Sequence, residues 1–323
     1  MAFVCGACCT PLDVELLQAE ARSDPQLLRR SVFAERPFLG SVTVRKTLQH
    51  SGGRGVLDVW LCLPAASKAV SAWHPSEPLE VVQDMFGNSF ARWRMEDVCS
   101  DVTVGFSCTL ALEAKQWTIL ATPVCDICSC PEHELYTRPT ACFDYDNEPE
   151  LAAAAIEARR AYGTNVVLLL AFIYRLCNER LTVMGPTPSQ HQASFYWKQQ
   201  IGRCYAHTVV FCSLCRAAGI AARACGGRAL TPRNFIHSWA QVWVPTDERP
   251  EGEWVDMDAQ LDDDRNSMES PQCHWNYFAQ RRAGTWAFFF GNYDELRREP
   301  GGCFTRRDWF GSWQWSSVER SNR

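Results

Sequence analysis

The hydrophobic period of this chain changes twice, and the order of the changes limits the fold more than any single motif does. Between residues 38 and 122 apolar residues recur at every second position, in "FLGSVTVRKTLQH", "VLDVWLCLP", "LEVVQD", "GNSFARWRM", "DVTVGFSCTLAL" and "QWTILAT". Such alternation puts successive side chains on opposite faces of a pleated strand, and "SGGRG" and "DMFGN" supply turn residues. Six short strands with glycine-bearing turns predict an antiparallel β-sandwich-like domain. After Pro149 the period lengthens to that of a helix, in "PELAAAAIEARRAYG", "TNVVLLLAFIYRLCNER", "QHQASFYWKQQIG" and a stretch from about residue 204 to 218. Gly219 follows where a glycine commonly ends a helix. Alternation then returns in "IAARACGG", "NFIHSWAQVWVP" and "EWVDMDAQ". Helices followed by antiparallel strands read as an α+β unit.

The expected division is therefore an N-terminal extension at 1–37, the β-sandwich-like domain at 38–122, a Cys-rich linker at 123–147, the α+β core at 148–272, and an aromatic-rich extension at 273–323 that packs on the core. A net charge of −5 with no Lys/Arg-rich block argues against nucleic acid as a partner. The longest apolar run covers residues 166–174, far short of the roughly 20 residues of a membrane span, and it reads as a buried helix. The first residues lack the basic region of a secretory signal. An odd count of 17 cysteines without such a signal predicts reduced thiols in the cytoplasm rather than a disulfide framework.

Four of those cysteines fall within "GRCYAHTVVFCSLCRAAGIAARACGG", residues 202–227. A nucleophilic thiol needs a helix N-terminus or a neighbouring imidazole to favour its thiolate, and it must be reachable. Cys204 follows a glycine-containing turn at the start of a helix. Cys212 and Cys215 fall deeper in that helix among apolar residues and read as packing, and Cys225 has no evident base. Downstream, His237, Trp239, Gln241 and Trp243 share one face of a strand, as do Trp254, Asp256 and Asp258 on the next. An antiparallel neighbour of that kind presents a carboxylate to an imidazole, as a Cys–His pair requires.

"GRC" opening a helix, then "LCRAAGIAARACGG", "HSWAQVWV" and "EWVDMDA", resembles the core of the transglutaminase-like superfamily, over about residues 148–262. The resemblance implies a papain-like Cys-His-Asp site on an α+β fold, with Cys204 as nucleophile, His237 as general base and acid, and Asp258 as the orienting carboxylate. Asp258 is chosen because its offset from Trp254 matches the family's, and Asp256 is the reserve. "VWLCLP" and the pattern from Asp84 to Asn88 resemble the β-domain that precedes this core in bacterial-type members. Ala259 stands where the family often has proline, and "PTDERPEGE" is an insertion expected to form a hairpin loop. The acidic "LDDD" at 261–264 is not the calcium pattern of the animal cross-linking enzymes, so calcium is not indicated and no cofactor is required.

The implied chemistry is attack on a peptide or glutamine-type amide through a thioester, with hydrolysis favoured over acyl transfer to an amine. Trp197, Gln199 and Gln200 are candidates for a second oxyanion donor beside backbone N–H groups. A catalytically inactive binding or scaffold module is the rival of another class. Cys125, Cys128, Cys130 and His133 have ligand-type spacing for zinc but lack a second paired knuckle. The single "CDIC" likewise argues against the glycan-removing relatives, which carry two such pairs.

Overall fold

The computed structural model describes residues 38–49, 55–64, 67–83, 87–112, 115–127, 129–130, 133–182, 192–229, 235–260, 279–281, 285–291 and 310–320. The expectations placed on residues 1–37, on Cys128 and on the acidic run 261–264 lie outside this set.

The N-terminal alternation forms strands β1 (Phe38–Gln49), β2 (Gly55–Cys62), β3 (Ser67–His74), β4 (Glu80–Gln83), β5 (Ser89–Val98) and β6 (Val102–Leu112). They make two antiparallel sheets, β1-β6-β3 and β2-β5-β4. Between the sheets lies one apolar cluster, with Val44 and Leu48 from β1, Leu57, Val59 and Leu61 from β2, Trp93 from β5, and Val104, Phe106 and Leu110 from β6. The alternation thus buries one face of each of these strands and leaves the other for polar residues. Arg92 ties the second sheet across its width, with a two-point contact to Asp58 at 2.9 and 2.7 Å and a contact to Glu80 at 2.5 Å.

Two details depart from the alternation. β3 is a strand that the period-two reading passes over, because its pairing with β6 shifts register at two points, between Ser67 and Ala69 and between Val70 and Ala72. "QWTILAT" alternates but forms only the short β7 (Lys115–Gln116), followed by an isolated bridge from Ile119 to Thr246. Its Trp117 turns into the core of the α+β unit, and the indole N–H donates to Glu253 at 3.0 Å.

The α+β unit contains α1 (His133–Thr137), α2 (Pro149–Tyr162), α3 (Val166–Arg180), α4 (Ala193–Gln199) and α5 (Cys204–Ala217), then β8 (Ala222–Ala229), β9 (Phe235–Val244) and β10 (Glu253–Met257). Asn165 caps α3 by accepting from the N–H groups of Val167 and Leu168. α5 is the central element. Every residue from Ala206 to Arg216 is buried, against the other helices and against β8 and β9. It closes as sequence chemistry requires, with Gly219 at φ +82° and with Gly219 N–H and Ile220 N–H donating to the carbonyls of Arg216 and Cys215.

The stretch 123–147, expected as a linker, contributes Val124, Cys142 and Phe143 to the same core. The C-terminal stretch divides between the two units. β12 (Thr285–Gly291) extends the core sheet to the order β10-β9-β8-β12, whereas β13 (Phe310–Arg320) pairs with β1 in the N-terminal domain. The short β11 (Gln280–Arg281) pairs with β7. Among the described residues no helix is long and apolar enough to cross a membrane.

Candidate active site

The chain reaches α5 through a tight passage. Gln200 ends α4 with φ 57°, Thr182 N–H donates to Gln200 O at 2.8 Å, and Gly202 N–H donates to Thr182 O at 3.0 Å. Arg203 is the N-cap in extended conformation and places no side-chain acceptor on the first turn. Cys204 is then the first helical residue, so its thiol stands at the positive end of a 14-residue helix whose leading N–H groups carry no cap from Arg203. Cys204 is partly exposed, in contrast to the residues that follow it from Ala206 onward.

β9 resolves which of its faces belongs to the site. Ala240, Val242 and Val244 enter the helical core, so His237, Trp239 and Gln241 lie on the opposite face. β10 runs antiparallel beside it, with Asp256 opposite Gln241 and Met257 opposite Ala240, and Asp258 follows directly after the strand. His237 Nε2–H donates to Asp258 Oδ2 in a short, ion-paired contact. Asp258 is itself held at two further points, where its Oδ1 accepts from Gln260 N–H at 3.1 Å and its carbonyl accepts from the Tyr174 hydroxyl at 2.6 Å.

His237 is 7% exposed. Burial pushes its imidazole toward the neutral form, but the charge and hydrogen bond of Asp258 and the hydrogen bond and charge of Cys204 outweigh it. The net effect holds the imidazole well above its ordinary range. With Nε2 engaged by Asp258, Nδ1 is the ring nitrogen left to serve a thiol. A thiol, an imidazole and an orienting carboxylate in this order can form a thiolate–imidazolium pair and shuttle a proton to a leaving group.

The structure separates the two carboxylates that alternation leaves equivalent. Asp256 is 2% exposed, and its Oδ1 accepts from Trp239 Nε1 at 3.2 Å and from Gln241 Nε2 at 2.6 Å, one step removed from the imidazole. Among the oxyanion candidates, Trp197 is 4% exposed on α4, and its indole N–H is buried without a hydrogen-bond partner among the described residues. Gln199 is exposed and Gln200 is half-buried in the left-handed residue that ends α4. Tyr174, which sequence reasoning did not single out, gives no local signal, since it lies 84 residues from Asp258.

Among the described residues, the possible zinc ligands Cys125, Cys130 and His133 are not drawn together. Cys125 is exposed and its thiol donates to Asp126 at 3.4 Å, Cys130 is buried beside Tyr136 and Ala221, and His133 begins α1. Among the described residues no three His, Cys, Asp or Glu side chains are placed to hold a metal ion. Cys212 and Cys215 are fully buried in mid-helix, and Cys225 packs against Trp239.

Residues 169–259 match the family model of the transglutaminase-like superfamily, a span that includes Cys204, His237 and Asp258. A comparison with curated protein sequences finds no match. Among solved structures, a candidate cysteine protease from Cytophaga hutchinsonii is 15% identical, with 88% of this chain and 90% of that chain covered and a TM-score of 0.56. The periplasmic domain of TgpA from Pseudomonas aeruginosa bound to ethylmercury is 17% identical, with 73% and 93% covered and a TM-score of 0.33. The Cytophaga likeness is one of fold, and it agrees with the α+β unit described above. The helix that begins at Cys204 and the β9–β10 pair beside it both fall within residues 169–259, the span that matches the transglutaminase-like superfamily.

Proposed function

We propose that this chain is a thiol enzyme that cleaves or exchanges peptide or glutamine-type amide bonds through a Cys204 thioester. The observation that carries the reading is the Cys204–His237–Asp258 arrangement, in which a thiol at an uncapped helix start acts on a buried imidazole that a carboxylate orients. The Cys204 thiolate adds to the amide carbonyl, and backbone N–H groups at the start of α5 stabilise the oxyanion. Trp197, Gln199 or Gln200 supplies a side-chain donor to assist. His237 passes its proton to the amine as the C–N bond breaks, leaving the thioester. Water, deprotonated by His237, then displaces the thiolate and yields the acid, or an amine takes the same place and yields a new amide.

Hydrolysis is the preferred outcome, with a peptide, protein or small amide as substrate and no cofactor. The core thiols Cys177, Cys212 and Cys215 suit a reducing, cytoplasmic setting.

Mass spectrometry of peptide and amine mixtures, incubated with wild type and with Cys204→Ala, tests the reading. Products confined to wild type whose masses sum to the substrate plus one water support hydrolysis, and amine adducts support transfer. Identical mixtures with both proteins, together with unselective iodoacetamide labelling, would favour the inactive binding module.

A further inference from the structure

Behind His237 lies a polar ladder that the proposed reaction does not use. Trp239 stacks on the imidazole, with ring centroids 6.0 Å apart and 20° between the planes. Its Nε1–H donates to Asp256 Oδ1 at 3.2 Å, and the same oxygen accepts from Gln241 Nε2 at 2.6 Å. Gln241 Oε1 accepts in turn from Arg223 Nε at 2.9 Å, and the Arg223 guanidinium lies 4.1 Å over the Trp254 ring. Across the β8–β9 register Cys225 stands opposite Trp239 and packs against it, and Gly227 stands opposite His237. Asp256 is 2% exposed and Trp239 4%. Both bonds fall on the one oxygen, Asp256 Oδ1, and the one from Trp239 fixes the plane of the indole.

We propose that Trp239 is a positioning residue for the His237 imidazole, with Asp256 setting the angle of the indole. The inference rests on the reading that His237 serves Cys204. The imidazole needs Nε2 on Asp258 and Nδ1 toward Cys204 at the same time, and rotation of the ring loses one contact. An indole locked parallel to the ring opposes that rotation, and its π-face favours the imidazolium over the neutral ring. Among the described residues, the charged or ionisable groups around His237 are Asp258 after β10, Cys204 on α5 and, about Trp239, Cys225 on β8 and Asp256 on β10, with Arg223 on β8 beyond.

The test is the rate of Cys204 alkylation by iodoacetamide across pH, in the full chain, with Cys204→Ser as the labelling control. Asp256→Ala is expected to slow alkylation at neutral pH about fivefold, the size of coupling usual for groups in contact. It is also expected to raise the pH at which the rate is half-maximal, because a weaker imidazolium leaves more neutral thiol. Asp256→Asn retains an oxygen acceptor and should restore most of the rate. Trp239→Phe, which keeps a ring but removes the N–H, should resemble Asp256→Ala, and combining the two should cost nothing further.

A folded Asp256→Ala or Trp239→Phe protein with an unchanged midpoint, or losses that multiply in the double variant, would overturn the proposal. If Asp256→Ala does not fold, Trp239→Phe alone decides. Wild type in which Cys204 is labelled no faster than the exposed Cys99 and Cys125 removes the functional reading, and this inference with it.

Discussion

Gly202 and Ala206 approach so closely that a Cβ built on Gly202 would lie 2.1 Å from the Ala206 Cβ. Gly202 carries the chain into α5 two residues before Cys204, so this contact sets where the helix starts. Gly202→Ala must therefore push the first turn away, since the clash is with Ala206 and the Tyr196 ring, 3.8 Å from the same point, is at ordinary contact distance. Overpacking of this kind costs about 1–3 kcal/mol. The expected outcome is a lower urea midpoint together with slower alkylation of Cys204. A Gly202→Ala protein with wild-type stability and reactivity would show that the close approach has no bearing on the nucleophile.

Asp258 stands beyond the end of β10, so the sheet alone does not hold it. The Tyr174 hydroxyl, 1% exposed on α3, donates to its carbonyl at 2.6 Å. Tyr174→Phe leaves the ring in place against Phe211 and removes this bond. A loss of about 1 kcal/mol is expected from the unpaired carbonyl, with a fall in Cys204 reactivity as the carboxylate drifts from His237. Thermal unfolding and alkylation rates measured on the same preparations check both parts, and a stability loss with unchanged reactivity would limit Tyr174 to packing.

The parts of this arrangement that sequence makes legible are those governed by local period. Cys204 at a helix start, His237 on the face opposite Ala240 and Val242, and Gly219 at the end of α5 each follow from residues within a few positions. The choice of Asp258 over Asp256 rests on the resemblance and not on period, because alternation puts both on one face, and the register with β9 then assigns Asp256 to Trp239 and Gln241. β3 is illegible for a related reason, since its shifts against β6 break the alternation. The aromatic tail gave no sign that β12 and β13 would join different sheets, because strand pairing partners are not encoded in the strand's own period.

The raised His237 pKa fixes the sign of a pH effect on stability. In the unfolded chain the imidazole titrates near 6.5, whereas in the folded chain Asp258 and Cys204 hold the proton to higher pH despite burial. The folded state therefore binds this proton more tightly. The stabilisation is fully present below the unfolded value and is lost as pH rises through the folded value. Each unit of difference corresponds to about 1.4 kcal/mol. Urea unfolding across the neutral to alkaline range should show wild type losing stability relative to His237→Gln, in which no such proton exists. A difference that is flat or grows with pH would contradict the pairing.

The buried thiols make the opposite prediction from Cys204. Burial pushes Cys212 up to about 12, and the Arg216 charge only partly opposes it. Cys177 and Cys215 are likewise raised by burial and by their neighbouring thiols. Thiolate is the reacting form, so these three should resist iodoacetamide at neutral pH in the folded protein and react only in denaturing urea. Quantified peptide labelling measures this directly, with Cys204 modified before any of the three. Replacing Cys212 by serine puts a hydroxyl where the α3–α5 core offers apolar contacts, at a cost of about 1–3 kcal/mol, whereas the alkylation rate of Cys204 should stay at the wild-type value. The combination separates the roles within one helix, since a change that weakens its interior leaves the chemistry of its first residue intact as long as the helix start is held by Gly202 and the chain before it.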